Sequence, residues 1–249
     1  MALIVRDLGL LFIMAPHTGC TAIGEVLRER FDAQFLPPDD VLGPDGTVTI
    51  ARKHTRLQQL LDAGLLSRAE RSRLVVAAGV RNPFDEEVSH YKQREREFSA
   101  RRDDPEVRKR LAGSRSKSER PPLEFETWLR RRYVGRPWSG LLGRTPKRPA
   151  DFTAGADAII RFERLQSDVD ALMQRLGVTD PVVIPVVNPT GVREKRPYQE
   201  FYTAQARHIV ESVFAERIAR FGYRFETAPA SAEPAAEPDP TPRPGPTPT

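Results

Sequence analysis

Short, wholly apolar runs alternate along this chain with longer stretches whose apolar residues return every three or four positions. That is the pattern of a parallel sheet covered by helices. Leu8–Ala15 (LGLLFIMA) is apolar on both faces and reads as a fully buried first strand. A helix over 19–31 follows, with Ile23, Val26, Leu27 and Phe31 on one face. Thr47–Arg52 (TVTIAR) alternates and predicts a second strand; Arg56–Leu66 predicts a helix broken at Gly64, with a new N-cap at Ser67. Leu74–Val80 (LVVAAGV) is a third, buried strand. Pro83 then stands where the first helical position tolerates it, and the helix it opens should run to about Phe98. Residues 99–122 read as a charged loop holding one short helix, Leu123–Arg132 as an amphipathic helix and 133–155 as irregular chain. Ala158–Phe162 gives a fourth strand, Ser167–Leu176 a helix closed by Gly177, and Tyr198–Phe221 one long final helix. There is no internal repeat.

Composition divides the chain. Of 249 residues only 39% are hydrophobic, a low share for a globular protein. Residues 227–249 explain part of this: they are almost all Ala, Pro, Thr, Glu and Asp and hold 8 of the 23 prolines. Such a segment buries no core, and it predicts a disordered or polyproline-like tail. Residues 1–226 are left to fold as one α/β domain. The net charge of +5 is uneven, with 18 Lys or Arg against 8 Asp or Glu between Lys92 and Arg148. This basic stretch, 92–148, reads as a variable insertion, either a solvated surface or a rim that draws in an anionic ligand. No nucleic-acid-binding signature accompanies the charge, so nucleic acid is not expected as a partner.

Cys20 is the single cysteine, which excludes a disulfide framework and any Cys-rich zinc site. His17, His54, His90 and His208 show no metal-ligand spacing, and no metal is expected. No stretch approaches the roughly 18 apolar residues of a membrane span. The run Leu8–Ala15 follows Asp7 and precedes no small-residue cleavage site, so it does not read as a signal sequence. Only six of the 39 basic residues are lysine, which with the Ala and Pro usage suggests a GC-rich genome and a bacterial cytoplasm.

Three segments carry candidate chemistry. Ala15-Pro16-His17-Thr18-Gly19-Cys20-Thr21 turns from the first buried strand into a helix, where outward backbone N–H groups and the helix N-terminus make an anion cradle. It lacks the second Gly and the Lys-Ser/Thr of a Walker A loop. Arg81-Asn82-Pro83-Phe84-Asp85 follows the third strand at the edge where open α/β sheets hold ligands, with Ser89 on the next helix. The Arg81 fork suits a phosphate, and it equally suits a pair with Asp85 or Glu86. Arg52-Lys53-His54-Thr55 closes the second strand and offers His54 either as a general base or as a structural histidine.

In this order the three segments resemble the sulfotransferase family that uses 3′-phosphoadenosine-5′-phosphosulfate (PAPS). In that family a Pro-Lys-(Ser/Thr)-Gly-(Ser/Thr)-Thr loop holds the 5′-phosphosulfate; the loop here is Pro16-His17-Thr18-Gly19-Cys20-Thr21. Lys53-His54 is similar to the element carrying the family's catalytic base. Arg81-Asn82-Pro83 with Ser89 matches its 3′-phosphate grip, and Arg161-Phe162-Glu163-Arg164-Leu165 its "(Tyr/Phe)-Glu-x-Leu" strand end. Residues 188–225 look like the C-terminal helix of carbohydrate-type members. The resemblance spans about 8–225 and implies a P-loop-NTPase-like open parallel sheet of four to five strands.

It further implies transfer of a sulfuryl group from PAPS to a hydroxyl or amine of a carbohydrate, glycolipid or small metabolite. His54 would take the acceptor's proton, and His17 would assist the leaving phosphate oxygen. Pro16, His17, Thr18, Gly19, Cys20, Thr21, Arg81, Ser89 and Arg196 would bind the nucleotide, and residues 92–148, with Phe125, Trp128, Tyr133 and Trp138, the acceptor. Those aromatics also fit plain core. His17 replaces the loop lysine and Cys20 a hydroxyl, which leaves open a protein that holds the nucleotide with little transfer. A P-loop kinase is the more distant reading, because it needs the missing lysine and a metal-binding Asp.

Overall fold

The computed structural model describes residues 2–52, 54–103, 123–134, 149–185 and 196–226. Its centre is a five-stranded sheet in the order β3-β1-β2-β6-β7, formed by β1 (Ala2–Val5), β2 (Leu10–Ile13), β3 (Gln34–Leu36), β6 (Val75–Val80) and β7 (Ala158–Arg161). β2, β6 and β7 pair in parallel, and β1 runs antiparallel to both β2 and β3. Four of the five strands therefore point one way and β1 points against them. Helices α1 (Cys20–Phe31) and α6 (Leu165–Arg175) cover one face, and α2 (Leu57–Asp62) covers the other. The expected open α/β arrangement with flanking helices is present.

Alternation builds both faces. Leu3, Val5, Leu10, Phe12 and Ala77 face α1 and α6, while Ala2, Ile4, Leu11, Ile13, Val76 and Ala78 face Leu57, Leu60 and Leu66. A second, largely aromatic core lies beside the sheet. There α4 (Pro83–Asp103) packs with α5 (Phe125–Leu129), the π-turn Arg130–Val134 and α7 (Ala204–Val213) around Phe84, Tyr91, Phe125, Trp128, Tyr133 and Phe214. Phe125 and Trp128 are thus core residues, the second of the two roles their spacing allowed, while Tyr133 belongs to this core and also lines a cleft beside the Pro16 turn. Trp138, most of the basic stretch 92–148, Lys53, Lys195 and the tail 227–249 lie outside the described residues.

Four expectations are corrected. The helix opened by Pro83 does not stop near Phe98 but runs on to Asp103, so residues 99–103 are helix rather than loop. Leu8–Ala15 is not the first strand but the second arm of a hairpin. Ala2–Val5 precedes it through a tight turn in which Gly9, at φ +60°, donates its N–H to Arg6 O at 3.0 Å. Thr47–Arg52 does not join the central sheet. Among the described residues β5 (Val48–Ile50) pairs only with β4 (Val41–Leu42) around an Asp45–Gly46 turn, and Ile50 is its one buried residue. The long final helix is three pieces, a 3-10 turn (Tyr198–Phe201), α7 and α8 (Ala215–Phe221). α2 does stop before Gly64, and Ser67 caps the short helix α3 (Arg68–Arg71), as the sequence indicates. No helix among the described residues is long and apolar enough to cross a membrane.

Thr203 makes the first of the two breaks in the final helical segment. Its hydroxyl accepts the Ala206 N–H at 3.0 Å and donates to Glu126 Oε2 at 2.6 Å, starting a new helix and tying it to α5. Thr203→Ala is expected to lower unfolding stability by about 1 kcal/mol, the usual loss for an N-cap, with Thr203→Ser recovering most of it in urea denaturation.

Candidate functional site

β2, β6 and β7 end at the same edge of the sheet, and their following segments meet there. Leaving β2, the chain turns through Pro16–Gly19 before α1 begins. His17 takes φ +60° and Gly19 φ +73°. The turn lies directly on β6. A Cβ on Gly79 would overlap Thr18 Oγ1 and sit 2.8 Å from Thr18 Cβ, so only glycine admits the turn at this depth. Thr18, 2% exposed, donates its hydroxyl inward to Ala15 O at 2.9 Å. Gly19 sits under Leu165 and Phe162 from the β7 side, where a Cβ would come within 3.2 Å of the Leu165 methyls.

Arg81 leaves the end of β6 and clamps this turn. Its Nη1 donates to His17 O at 3.0 Å, while Nε and Nη2 reach Asp85 Oδ2 at 2.8 and 2.7 Å. Its guanidinium carbon lies 3.9 Å above the centre of the Phe162 ring. Asn82 continues the junction. Its backbone N–H donates to Glu163 Oε1 at 2.6 Å, its side-chain amide donates to Arg224 O, and its side-chain oxygen caps α4 through Phe84 N. Nearly two turns into α4, Ser89 Oγ shares a 3.1 Å hydrogen bond with His17 Nδ1. Four of the segments that carry the family resemblance are therefore in contact: the Pro16 turn, Arg81–Ser89, Phe162–Leu165 and the chain after α8.

The remaining candidates are placed differently. Cys20 is buried at the start of α1, and burial pushes its thiol above the usual range. Thr21 is exposed in the first turn of α1. His54 follows the small β4–β5 hairpin rather than a sheet strand; it is exposed, at φ +61°, with its ring edge-on to Phe152 at 6.3 Å. It is near enough to contribute to the positive field at His17. Arg196 binds Glu200 on the surface and lies over Phe201, so its hydrogen bonds go to its own 3-10 turn rather than to the Pro16 turn.

Beside the Pro16 turn opens a cleft of about 390 Å³. Ala15, Pro16, Gly79 and Val80 form its floor, Phe152 and Phe214 its apolar sides, and Glu86, Glu87, His90, Arg132, Tyr133 and Arg217 a polar wall. Tyr133, and Arg132 within 92–148, belong to the stretch the sequence offered for the acceptor, whereas Glu86, Glu87, His90 and Arg217 were not among the sequence candidates for the site. On one helix two glutamates resemble a solvated face, and only the Glu86–His90 spacing at the buried end of α4 hinted otherwise. Arg217 Nη1 donates to Glu86 Oε2 at 2.6 Å, and the Tyr133 hydroxyl donates to Glu87 Oε1 at 2.9 Å. The His17 and His90 rings stand 3.8 Å apart.

Burial sets the electrostatics of this wall. Desolvation pushes the Glu87 carboxyl up to about 7, against the pull of Arg132, and raises Glu86 as well. Desolvation, then the Arg81 charge, holds His17 down at about 4, and burial beside His17 takes His90 to about 2. At neutral pH both imidazoles are uncharged, so His17 adds no positive charge to the Pro16 turn.

Two outcomes follow from these contacts. Gly79→Ala is expected to cost about 1–3 kcal/mol by overpacking. Adding Thr18→Ala restores only part of that, because the Cβ of residue 18 still collides; denaturant midpoints of the three variants check this. His17, whose folded value lies below its unfolded one, stabilises the protein above about pH 6.5 and loses that contribution as pH falls toward 4. The stability difference between the wild type and His17→Gln should therefore shrink over that window, and the His17 imidazole signal should begin to titrate only near its lower end. Among known proteins, no family model, no curated protein and no solved structure matches this chain.

Proposed function

We propose that this protein binds PAPS or its product, adenosine 3′,5′-bisphosphate, at the carboxyl edge of β2 and β6, and acts as a sulfotransferase on a hydroxyl or amine. One observation carries the reading. The Pro16 turn and the Arg81–Ser89 segment, far apart in sequence, are joined through His17 by Arg81 at 3.0 Å and by Ser89 at 3.1 Å. The first turn of α1, which has no side-chain cap at Gly19, brings its N-terminal backbone N–H groups and positive dipole to the same edge, with Thr21 beside them. These groups fit a 5′-phosphosulfate, and Arg81 with Ser89 fits a 3′-phosphate. PAPS supplies an activated sulfur whose bond to the bridging phosphate oxygen breaks as the acceptor oxygen attacks.

The protein's part is to orient and to move a proton. His54, at the rim near Phe152, is the candidate base for the acceptor's proton; its removal should cost about 10²–10⁴-fold in turnover. Arg81 meets an incoming phosphate by exchanging Asp85 for it, since both Nε and Nη2 are engaged by that carboxylate. The cleft beside the turn is the candidate acceptor pocket. A carbohydrate or small metabolite bearing hydroxyls suits its mixture of carboxylate, guanidinium and aromatic groups.

A second reading has its own support. The uncharged His17 leaves the turn without a cation at the leaving oxygen, which favours a protein that holds the nucleotide with little transfer.

Thermal shift with adenosine 3′,5′-bisphosphate, against ATP and AMP, is the first test. A ligand at about 100 times its dissociation constant adds about 2.7 kcal/mol. Stabilisation by the bisphosphate alone is expected, lost in Arg81→Ala and strengthened several-fold in affinity by Asp85→Asn, which frees the fork. Equal stabilisation by ATP would point to a kinase, and none by any nucleotide would defeat the proposal. Labelled PAPS offered with carbohydrate, glycolipid and metabolite acceptors then separates transfer, sensitive to His54→Ala, from binding alone.

A further inference from the structure

Glu86, Glu87 and His90 stand together on the first turns of α4, and one ligand-capable atom from each lies within 4.8 Å of the others. Each is fixed from behind. Arg217 holds Glu86 Oε2 at 2.6 Å, leaving Oε1, which lies 3.9 Å from His90 Nε2. Tyr133 holds Glu87 Oε1 at 2.9 Å, leaving Oε2. The His90 ring rests on that of His17. Ligating side chains positioned by outer hydrogen bonds are the usual construction of a metal site.

Glu87 Oε2 is the feature that points to an occupant. The Glu87 side chain is 1% exposed and lines the cleft, yet among the described residues this oxygen finds no hydrogen-bond donor. Arg132 Nε is 3.5 Å away, beyond a good hydrogen bond, and gives its N–H instead to the Tyr133 hydroxyl at 2.9 Å. A buried carboxylate oxygen without a donor is costly and rare. It requires a proton, a donor or a cation from the cleft side.

We propose that Glu86 Oε1, Glu87 Oε2 and His90 Nε2 bind one divalent cation of the zinc type, with its remaining coordination position open to the cleft. Two carboxylates and one imidazole suit Zn²⁺, Mn²⁺ or Co²⁺, whereas Mg²⁺ prefers oxygen alone. Ligand atoms around one such ion sit about 2.0–2.2 Å from it, so the trio closes on the ion by small side-chain rotations. Arg217 and Arg132 offset the two carboxylates and set the affinity below that of a structural zinc centre. The cleft wall is where an ion would add the positive charge that the Pro16 turn lacks. The site does not depend on the nucleotide reading, and either can fail alone.

The test is calorimetry of the full chain, stripped with chelator and titrated with ZnCl₂, MnCl₂ and MgCl₂, together with visible absorption on adding CoCl₂. One equivalent of Zn²⁺ should bind in the micromolar range, Mg²⁺ more weakly, and Co²⁺ should give the absorption bands of a four- or five-coordinate nitrogen–oxygen site. Glu87→Gln, which keeps the acceptor for Tyr133, and His90→Gln should each weaken Zn²⁺ by about tenfold or more. His208→Ala, on the exposed side of α7, should not. Sub-stoichiometric Mn²⁺ should broaden the His90 and His17 imidazole signals first, which locates the ion in unsubstituted protein should a variant fail to fold. No Zn²⁺ binding up to about 1 mM, unaltered affinity in either Gln variant, or broadening centred on His54 or His208 would overturn the site.

Discussion

The turn between β2 and α1 can lie against β6 only because residue 79 has no side chain. With Thr18 seated on Gly79, its hydroxyl folds back to Ala15, the His17 carbonyl comes within reach of Arg81, and Gly19 slips beneath Leu165. Three parallel strands thereby lock one turn from three sides. The left-handed conformations of His17 and Gly19 are the local cost of so tight a passage. They are held in place by packing and by the Arg81 fork rather than by anything within the turn. The cleft inherits its floor from the same contact, since Ala15, Pro16, Thr18, Gly79 and Val80 all line it.

The charges around that floor are unusual in being nearly all paired internally. Arg81 is engaged by Asp85, Arg217 by Glu86, and Arg132 lies against Glu87 and Tyr133, while two imidazoles stay neutral between them. On the proposed function, binding an anion at the turn would therefore be an exchange of partners rather than the filling of a bare positive site. Such exchange favours ligands that replace every lost hydrogen bond, as a planar fork meeting a tetrahedral phosphate does, and it penalises those that replace only some. For the proposed nucleotide, selectivity at this edge would come from that penalty more than from net attraction.

Much of this was legible in the chain. β2 and β6 announced themselves by apolar runs without a polar face, β7 by the short run Ala158–Ile160 before Arg161, and the turn after β2 by Gly19 between strand and helix. Arg81, Ser89 and His17 were nominated by position and do converge. Other features escaped for identifiable reasons. Four residues at Ala2–Val5 are too few to show a period, and Leu8 masked the hairpin turn by extending the next apolar run. Alternation in 47–52 reports a strand but cannot say which sheet it joins, so His54 was expected at an edge where it does not stand. Apolar periodicity runs unbroken through Thr203 and Phe214 because the pieces of the final helical segment bury the same side. The polar wall stayed hidden because burial of Glu86 and Glu87 depends on Tyr133 and Arg217, residues 46 and 131 positions away.

Helix α4 spans 21 residues, about 31 Å at the usual rise. Its first turns hold Glu86, Glu87 and Ser89 in the interior and His90 half-buried, whereas Gln93, Arg96, Glu97, Ser99 and Ala100 face solvent. Such a rod has mechanical leverage. A tilt of about 5° about Pro83 moves Glu87 by about half an ångström and the Asp103 end by nearly 3 Å, on the same rise per residue. Whatever grips the outer end of this helix thus applies a fine adjustment to the cleft, geared down roughly fivefold along its length.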